Sequence, residues 1–273
     1  MNDKISLAGD LGSGKSTVAA ILIERLGAEY YSTGAIVRSI AAKRNMSVVE
    51  LNVYMETHPE IDHEIDDGLK ALSDLDKPLV IDSRMAWHFT AGTFKVYLST
   101  DAEVSALRIM GANRQGEHKS SLEDTIKDTK ARRESEKKRY FEQYGVHIKD
   151  LTNYSLIVDT TYATPDEVAE CILKAFEAWK ADKTFTAAYI SPERINYPDD
   201  EANSEKLAEY SARLEASEKI PEVKVFEIDG EFYLDDGYES ALAYSLAMNT
   251  YVPAKLVHGT KDGKAYVKMK NSL

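Results

Sequence analysis

The chain has 273 residues, a net charge of −12 and one cysteine. That length holds one large domain or two modest ones, and the acidic balance argues against a dominant nucleic-acid backbone role, which needs a basic face. The lone thiol excludes an intramolecular disulfide framework and no apolar run reaches the length of a membrane span, so a cytoplasmic protein without a signal peptide is expected.

Lys4-Ile5-Ser6-Leu7-Ala8 reads as a short strand, and Thr17 to Leu26 as a helix. Between them Gly9-Asp10-Leu11-Gly12-Ser13-Gly14-Lys15-Ser16 spells a phosphate-binding loop. Glycines let the backbone curl so that N–H groups point at an anion, and the helix adds its positive end. Lys15 can then reach the β- and γ-phosphates while the Ser16 hydroxyl takes a Mg²⁺ position. The strand before and the helix after make this a nucleoside triphosphate site running from Gly9 through Thr17.

A second strand, Glu29 to Ser32, leads into Ser32-Thr33-Gly34-Ala35-Ile36-Val37-Arg38. Gly34 permits a sharp turn into a helix, and Arg38 stands one turn in, where it either forks onto a phosphate or is simply solvated. Residues Ile36 to Asp74 are helical and acidic. The third strand, Pro78 to Asp82, ends on an acid followed by Ser83 and Arg84. Asp82 is either a Mg²⁺ partner through water or a helix N-cap. Arg84 is a second candidate clamp for an acceptor phosphate.

Strands at Phe94–Leu98 and Tyr154–Asp159 complete a five-stranded parallel sheet covered on both faces, an α/β pattern. Between them Gly111 to Arg139 is highly charged. Arg132, Glu136 and Arg139 share one helical face by their i, i+4, i+7 spacing. They either close over phosphates and a base or form an ordinary solvated ion-pair ladder. Thr164 caps a final long helix, in which Cys171 has a packing position.

After about Ala181 the pattern changes to short strands at Ala187–Ile190, Val223–Ile228, Glu231–Leu234 and Val252–Val257, with Asp229-Gly230 as a hairpin turn. Helices are expected at Ser204–Ser217 and Tyr238–Asn249. The boundaries implied are 1–181 for the first domain and 185–273 for a smaller α+β one.

Taken as an ordered set, the first 180 or so residues resemble cytidylate kinases of the short archaeal type. The resemblance rests on the phosphate loop, Ser32 to Arg38, Pro59-Glu60-Ile61-Asp62, and Ile81-Asp82-Ser83-Arg84. It continues through Glu134-Ser135-Glu136…Arg139-Tyr140, Tyr144-Gly145, the stretch from Asp150 to Thr160, and Thr164-Pro165-Asp166-Glu167-Val168. It implies a P-loop nucleoside monophosphate kinase fold with a helical acceptor-binding insert and a lid, moving a phosphoryl group from ATP to CMP or dCMP. Carried over, Lys15 and the loop hold the donor, and Ser16 with Asp82 positions Mg²⁺. Ser32, Gly34, Arg38, Arg84 and Glu136 form the acceptor site, Glu136 facing the cytosine amino group. Arg132 and Arg139 neutralise charge on the transferring group. Ser83 departs from the family, which usually has Gly there.

The remainder resembles the ParB/sulfiredoxin-like fold through Ile190-Ser191-Pro192, Ile220-Pro221-Glu222-Val223, Phe232 to Gly237, and Val252-Pro253-Ala254-Lys255. Tyr238-Glu239-Ser240 stands where that fold usually presents His and Arg to phosphates. An acid there repels a phosphate, which implies a non-catalytic structural, regulatory or partner-docking role. Two other functions fit the residues: a nucleotide-dependent regulatory protein, and a kinase of a non-nucleotide small molecule.

Overall fold

A computed structural model describes residues 3–111 and 121–268. Residues 112–120, part of the charged segment expected from Gly111 to Arg139, lie outside the described residues.

The first half alternates strand and helix. β1 (Lys4–Gly9) is buried along almost its whole length, as a strand covered on both faces must be. It is followed by α1 (Lys15–Leu26), β2 (Glu29–Ser32) and the three-helix insert α2 (Thr33–Lys43), α3 (Val48–Met55) and α4 (Pro59–Ala71). Then come β3 (Leu79–Asp82), the short α5 (Ala86–Phe89), β4 (Phe94–Ser99), α6 (Ala102–Gly111), the 23-residue α7 (Leu122–Tyr144), β5 (Leu156–Asp159) and α8 (Pro165–Ala181). Thr164 caps α8, as the sequence predicts, and the structure completes the cap as a reciprocal box with Glu167.

The second half contains β6 (Ala187–Ile190), β7 (Ile195–Pro198), α9 (Ser204–Glu215), β8 (Val223–Ile228), β9 (Glu231–Asp236), α10 (Tyr238–Leu246), β10 (Val252–Leu256) and β11 (Tyr266–Lys268). β8 and β9 form the antiparallel hairpin expected at Asp229-Gly230.

The five expected parallel strands are all present, in the order β2-β3-β1-β4-β5, yet they are not a complete sheet. β6 pairs in parallel with β5, Leu156 opposite Ala187 and Val158 opposite Tyr189, and the described strands form one 11-stranded sheet. The expectation of a five-stranded sheet is therefore corrected. The physical reason is that β5 is buried on both faces, so the backbone groups on its far side need partners, and the alternation of β6 supplies them.

The core is shared in the same way. On one face Ile5, Leu7, Val96 and Leu156 pack with Val18 and Leu22 of α1 and Ile172 and Phe176 of α8. On the other, Ala8, Tyr97, Tyr154 and Ile157 run into one cluster with Ile190, Val225, Phe232 and Val252. Cys171 packs against the first cluster, where burial pushes its thiol up to about 12 and leaves it inert. No helix among the described residues is long and apolar enough to cross a membrane. The register sets Ser32 and Leu7 beside Asp82, so the C-terminal ends of β1, β2 and β3 meet at one crevice.

Candidate active site

The phosphate loop joins β1 to α1. Gly9 has φ +148°, and a Cβ there would lie 2.3 Å from the Leu98 carbonyl oxygen. Gly12, at φ +73°, would drive a Cβ to 2.6 Å from the Ser105 carbonyl. Only glycine fits either position. Gly14 begins α1 with no side-chain cap, leaving the helix's positive end turned toward the loop.

Lys15 folds back over the loop. Its Nζ donates to Gly9 O (3.1 Å), Asp10 O (2.7 Å) and Ser13 Oγ (3.3 Å). Burial pulls its ammonium down to about 8, against the attraction of Asp82 and with the repulsion of Arg84. Ser13 donates to Asp10 O, while Ser16 and Thr17 are exposed on the first turn of α1. Leu11 gives its carbonyl to the Ser105 hydroxyl of α6.

Asp10 does more than the expected loop role. The residue is 5 % exposed. It accepts from Tyr97 OH (3.0 Å) and the Thr100 N–H (3.1 Å), and pairs with Arg133 and Lys149, both at 3.1 Å. Burial raises its pKa, but Lys149 and Arg133 outweigh that and hold the carboxyl below its ordinary value. Neither cation was among the expected site residues, because that position of the loop motif specifies no side chain and the partners come from elsewhere in the chain.

Asp82 ends β3 beside the loop and takes a hydrogen bond from Tyr30 OH at 3.0 Å on Oδ2. The N-cap alternative fails, since Ser83 Oγ accepts from Met85 N (3.2 Å) and closes that turn. The Ser16 hydroxyl and the Asp82 carboxylate are both oxygen donors, the kind that the hard cation Mg²⁺ prefers. Ser32 acts as the N-cap of α2, its hydroxyl accepting from Ala35 N. Arg38 is exposed on α2, with Nη1 3.4 Å from where a Cβ on Gly34 would be.

The other predicted residues converge on a cavity next to the loop. Gly34, Arg84, Arg132, Glu136 and Arg139 all line it; Ser32 and Arg38 do not. The α7 face is therefore no solvated ladder. Glu136 is 4 % exposed, with Oε2 held by Arg84 Nε at 2.5 Å and Oε1 by Arg132 Nε at 3.1 Å. Burial acts to raise its pKa, and Arg84, Arg132 and Arg139 overcome it, keeping Glu136 ionised.

Arg139 lies 2.9 Å from Asp62 Oδ2 through Nε, off the axis of a hydrogen bond, and Nη1 donates to Asn52 O at 3.2 Å. Ser135 Oγ donates to the Glu56 carboxylate. α7 thus rests directly on the insert. Asn52, Asp62 and Asp66 also line the cavity but escaped notice as site residues, because in the sequence they are three among many polar helix positions.

Burial lifts Asp66 to about 6, opposed by a hydrogen bond from Tyr144 OH and reinforced by Asp62. A carboxyl raised on folding binds more protons in the native than in the unfolded state, so stability falls as pH rises between roughly 4 and 6. Asp66→Asn should therefore raise the melting temperature over wild type more at pH 7 than at pH 4. An equal gain at both pH values in thermal melts would contradict burial as the cause.

The model of the cytidylate kinase-like family matches residues 4–162. The chain belongs to that family. The cytidylate kinase of Archaeoglobus fulgidus is 38% identical to this cytidylate kinase-like chain over 178 residues, 65% of this chain and 96% of that protein. The cytidylate kinase of Thermoplasma volcanium is 33% identical over 187 residues, 67% of this chain and 96% of its own length. A solved sulfiredoxin from Arabidopsis thaliana overlaps 28% of this cytidylate kinase-like chain at 20% identity and a TM-score of 0.26. At that score the C-terminal resemblance rests on its sequence landmarks alone.

Proposed function

We propose that the chain is an ATP-dependent nucleoside monophosphate kinase that phosphorylates CMP or dCMP in the cytoplasm. The observation that carries this reading is the cavity lined by Gly34, Arg84, Arg132, Glu136 and Arg139, which shares Arg84 and Glu136 with the hollow against Gly9, Asp10 and Leu11 of the loop. Two anion sites side by side suit transfer between two phosphates. Family membership over residues 4–162 supports the same conclusion.

In this reading the loop from Gly9 to Thr17 holds ATP, and Lys15 leaves its carbonyl partners for the β- and γ-phosphates. Mg²⁺ would be held by Ser16 and, through water, Asp82, and would neutralise charge between donor phosphates. Arg84 and Arg132 take the acceptor phosphate, with Arg38 reaching across Gly34 at the rim. Arg139 with Asp62, Asp66 and Asn52 forms the wall against the base, whose amino group calls for a carboxylate acceptor. Glu136 orients two guanidiniums, since each of its oxygens already has one. Catalysis is then positioning and charge neutralisation. Residues 1–181 act as the kinase and 185–273 as an accessory, non-catalytic segment.

ADP release measured across all the nucleoside monophosphates tests this. CMP or dCMP should accelerate it; no acceleration by any monophosphate, with ATP binding intact, would refute the reading. Arg38→Ala should raise the acceptor KM about tenfold, as expected for one charge-assisted phosphate contact, and leave ATP binding unchanged. Equal loss of ATP affinity would place Arg38 at the donor instead.

A further inference from the structure

The turn between β8 and β9 approaches the phosphate loop, and Lys149 stands between them. Its Nζ is 3.1 Å from Asp10 Oδ1, and a Cβ built on Gly230 would lie 4.0 Å from the same nitrogen. Glu227 accepts from the Gly230 N–H and sits in the field of both Lys149 and Asp10. The turn itself is pinned by Arg194, which is 2 % exposed. Arg194 Nη2 donates to Gly230 O (2.9 Å), and Nη1 to Glu231 Oε1 (3.2 Å) and Asp101 Oδ2 (3.1 Å).

Asp101 extends this connection. Its Oδ1 accepts from Glu103 N (2.9 Å) and Val104 N (3.2 Å) at the start of α6, and from α6 Ser105 donates to Leu11 O in the loop. The hairpin therefore reaches the loop from two sides, through Lys149 to Asp10 and through Arg194, Asp101 and α6 to Leu11.

We propose that the β8–β9 hairpin is a working part of the donor site and that Lys149 is its positioning residue for ATP. Asp10 places a buried negative charge in the loop that must receive the ATP phosphates. Uncompensated, that carboxylate repels the incoming anion across a poorly screened gap. Lys149 offsets it together with Arg133, and the hairpin turn lies beside Lys149. The inference rests on the reading of this loop as the ATP site.

The test uses the full chain and ATP affinity by calorimetry. Lys149→Met should weaken ATP binding about tenfold, the scale of one charge contact at partial screening, with the CMP KM within about twofold of wild type. Lys149→Arg should restore ATP affinity to within about twofold. In an Asp10→Asn background, Lys149→Met should change ATP affinity by no more than about twofold, as coupling between contacting charges requires. Glu227→Gln keeps the turn hydrogen bond but removes a competing carboxylate. At pH 8 it should tighten ATP about twofold in wild type and not at all beside Lys149→Met.

A Lys149→Met protein that melts like wild type and binds ATP equally well would overturn the proposal. So would an equal effect of Glu227→Gln in both backgrounds, which would remove the hairpin from it. A wild-type chain that binds ATP yet phosphorylates no monophosphate would sink the kinase reading alone, because these affinities still decide the role of Lys149.

Discussion

Lys15→Met should lower kcat by about 10³-fold, the usual scale for removing one preorganised donor from a transferring charge. The ammonium donates to Gly9 O, Asp10 O and Ser13 Oγ. All three belong to the loop, so the side chain is poised above the position the phosphates would take. The substitution removes a buried charge without adding volume, and the fold should survive it.

The wild-type lysine also carries a pH signature. Burial lowers it to about 8, with Asp82, Arg84, Asp10 and Glu136 acting on it in turn. Donor phosphates favour the charged form, so above that pH binding must take up a proton and weaken as pH rises. Calorimetry at pH 9 in buffers of different ionisation heat should show that uptake in wild type and lose it in Lys15→Met. Retention of more than a tenth of kcat by the variant, or no proton uptake by wild type, would contradict the assignment.

Arg139→Met is expected to destabilise the protein by about 3–5 kcal/mol, the range for breaking a buried ion pair from one side. Arg139 and Asp62 are each 4 % exposed, and Asn52 O is a further acceptor that loses its donor. Burial already raises the Asp62 carboxyl despite Arg139, so without the arginine it would take up a proton and hold the loss near the lower end. Asp62→Asn should cost at least as much, because Arg139 cannot shed its buried charge as Asp62 can. The double variant Arg139→Met/Asp62→Leu should recover most of the stability but no CMP phosphorylation. Urea melts with activity assays separate the two: a double variant as unstable as Arg139→Met would mean that packing, not charge, dominates.

The parts of this molecule legible in the sequence are those where local chemistry dictates structure. The glycines of the phosphate loop, the Thr164 cap and the Asp229-Gly230 turn each encode a backbone conformation and were found where expected. The face shared by Arg132, Glu136 and Arg139 was legible as geometry, but not its burial, since that depends on α7 resting on α3. β7 was missed because it is four residues long, ends in proline and pairs with a strand far along the chain. β11, with three residues, has no periodicity to detect. The pairing of β6 with β5 and the meeting of Lys149 with Asp10 are tertiary facts, invisible to any window of sequence.

The seat of α7 on the insert governs how an acceptor arrives. Asp62 and Arg139, the groups that would meet a base, are each 4 % exposed and lie beside the contacts from Ser135 to Glu56 and from Arg139 to Asn52. Where an acceptor needs those contacts broken to reach both groups, the two helices must first part. Association is then paced by how often that separation occurs, and apparent affinity is diluted by the fraction of molecules standing open.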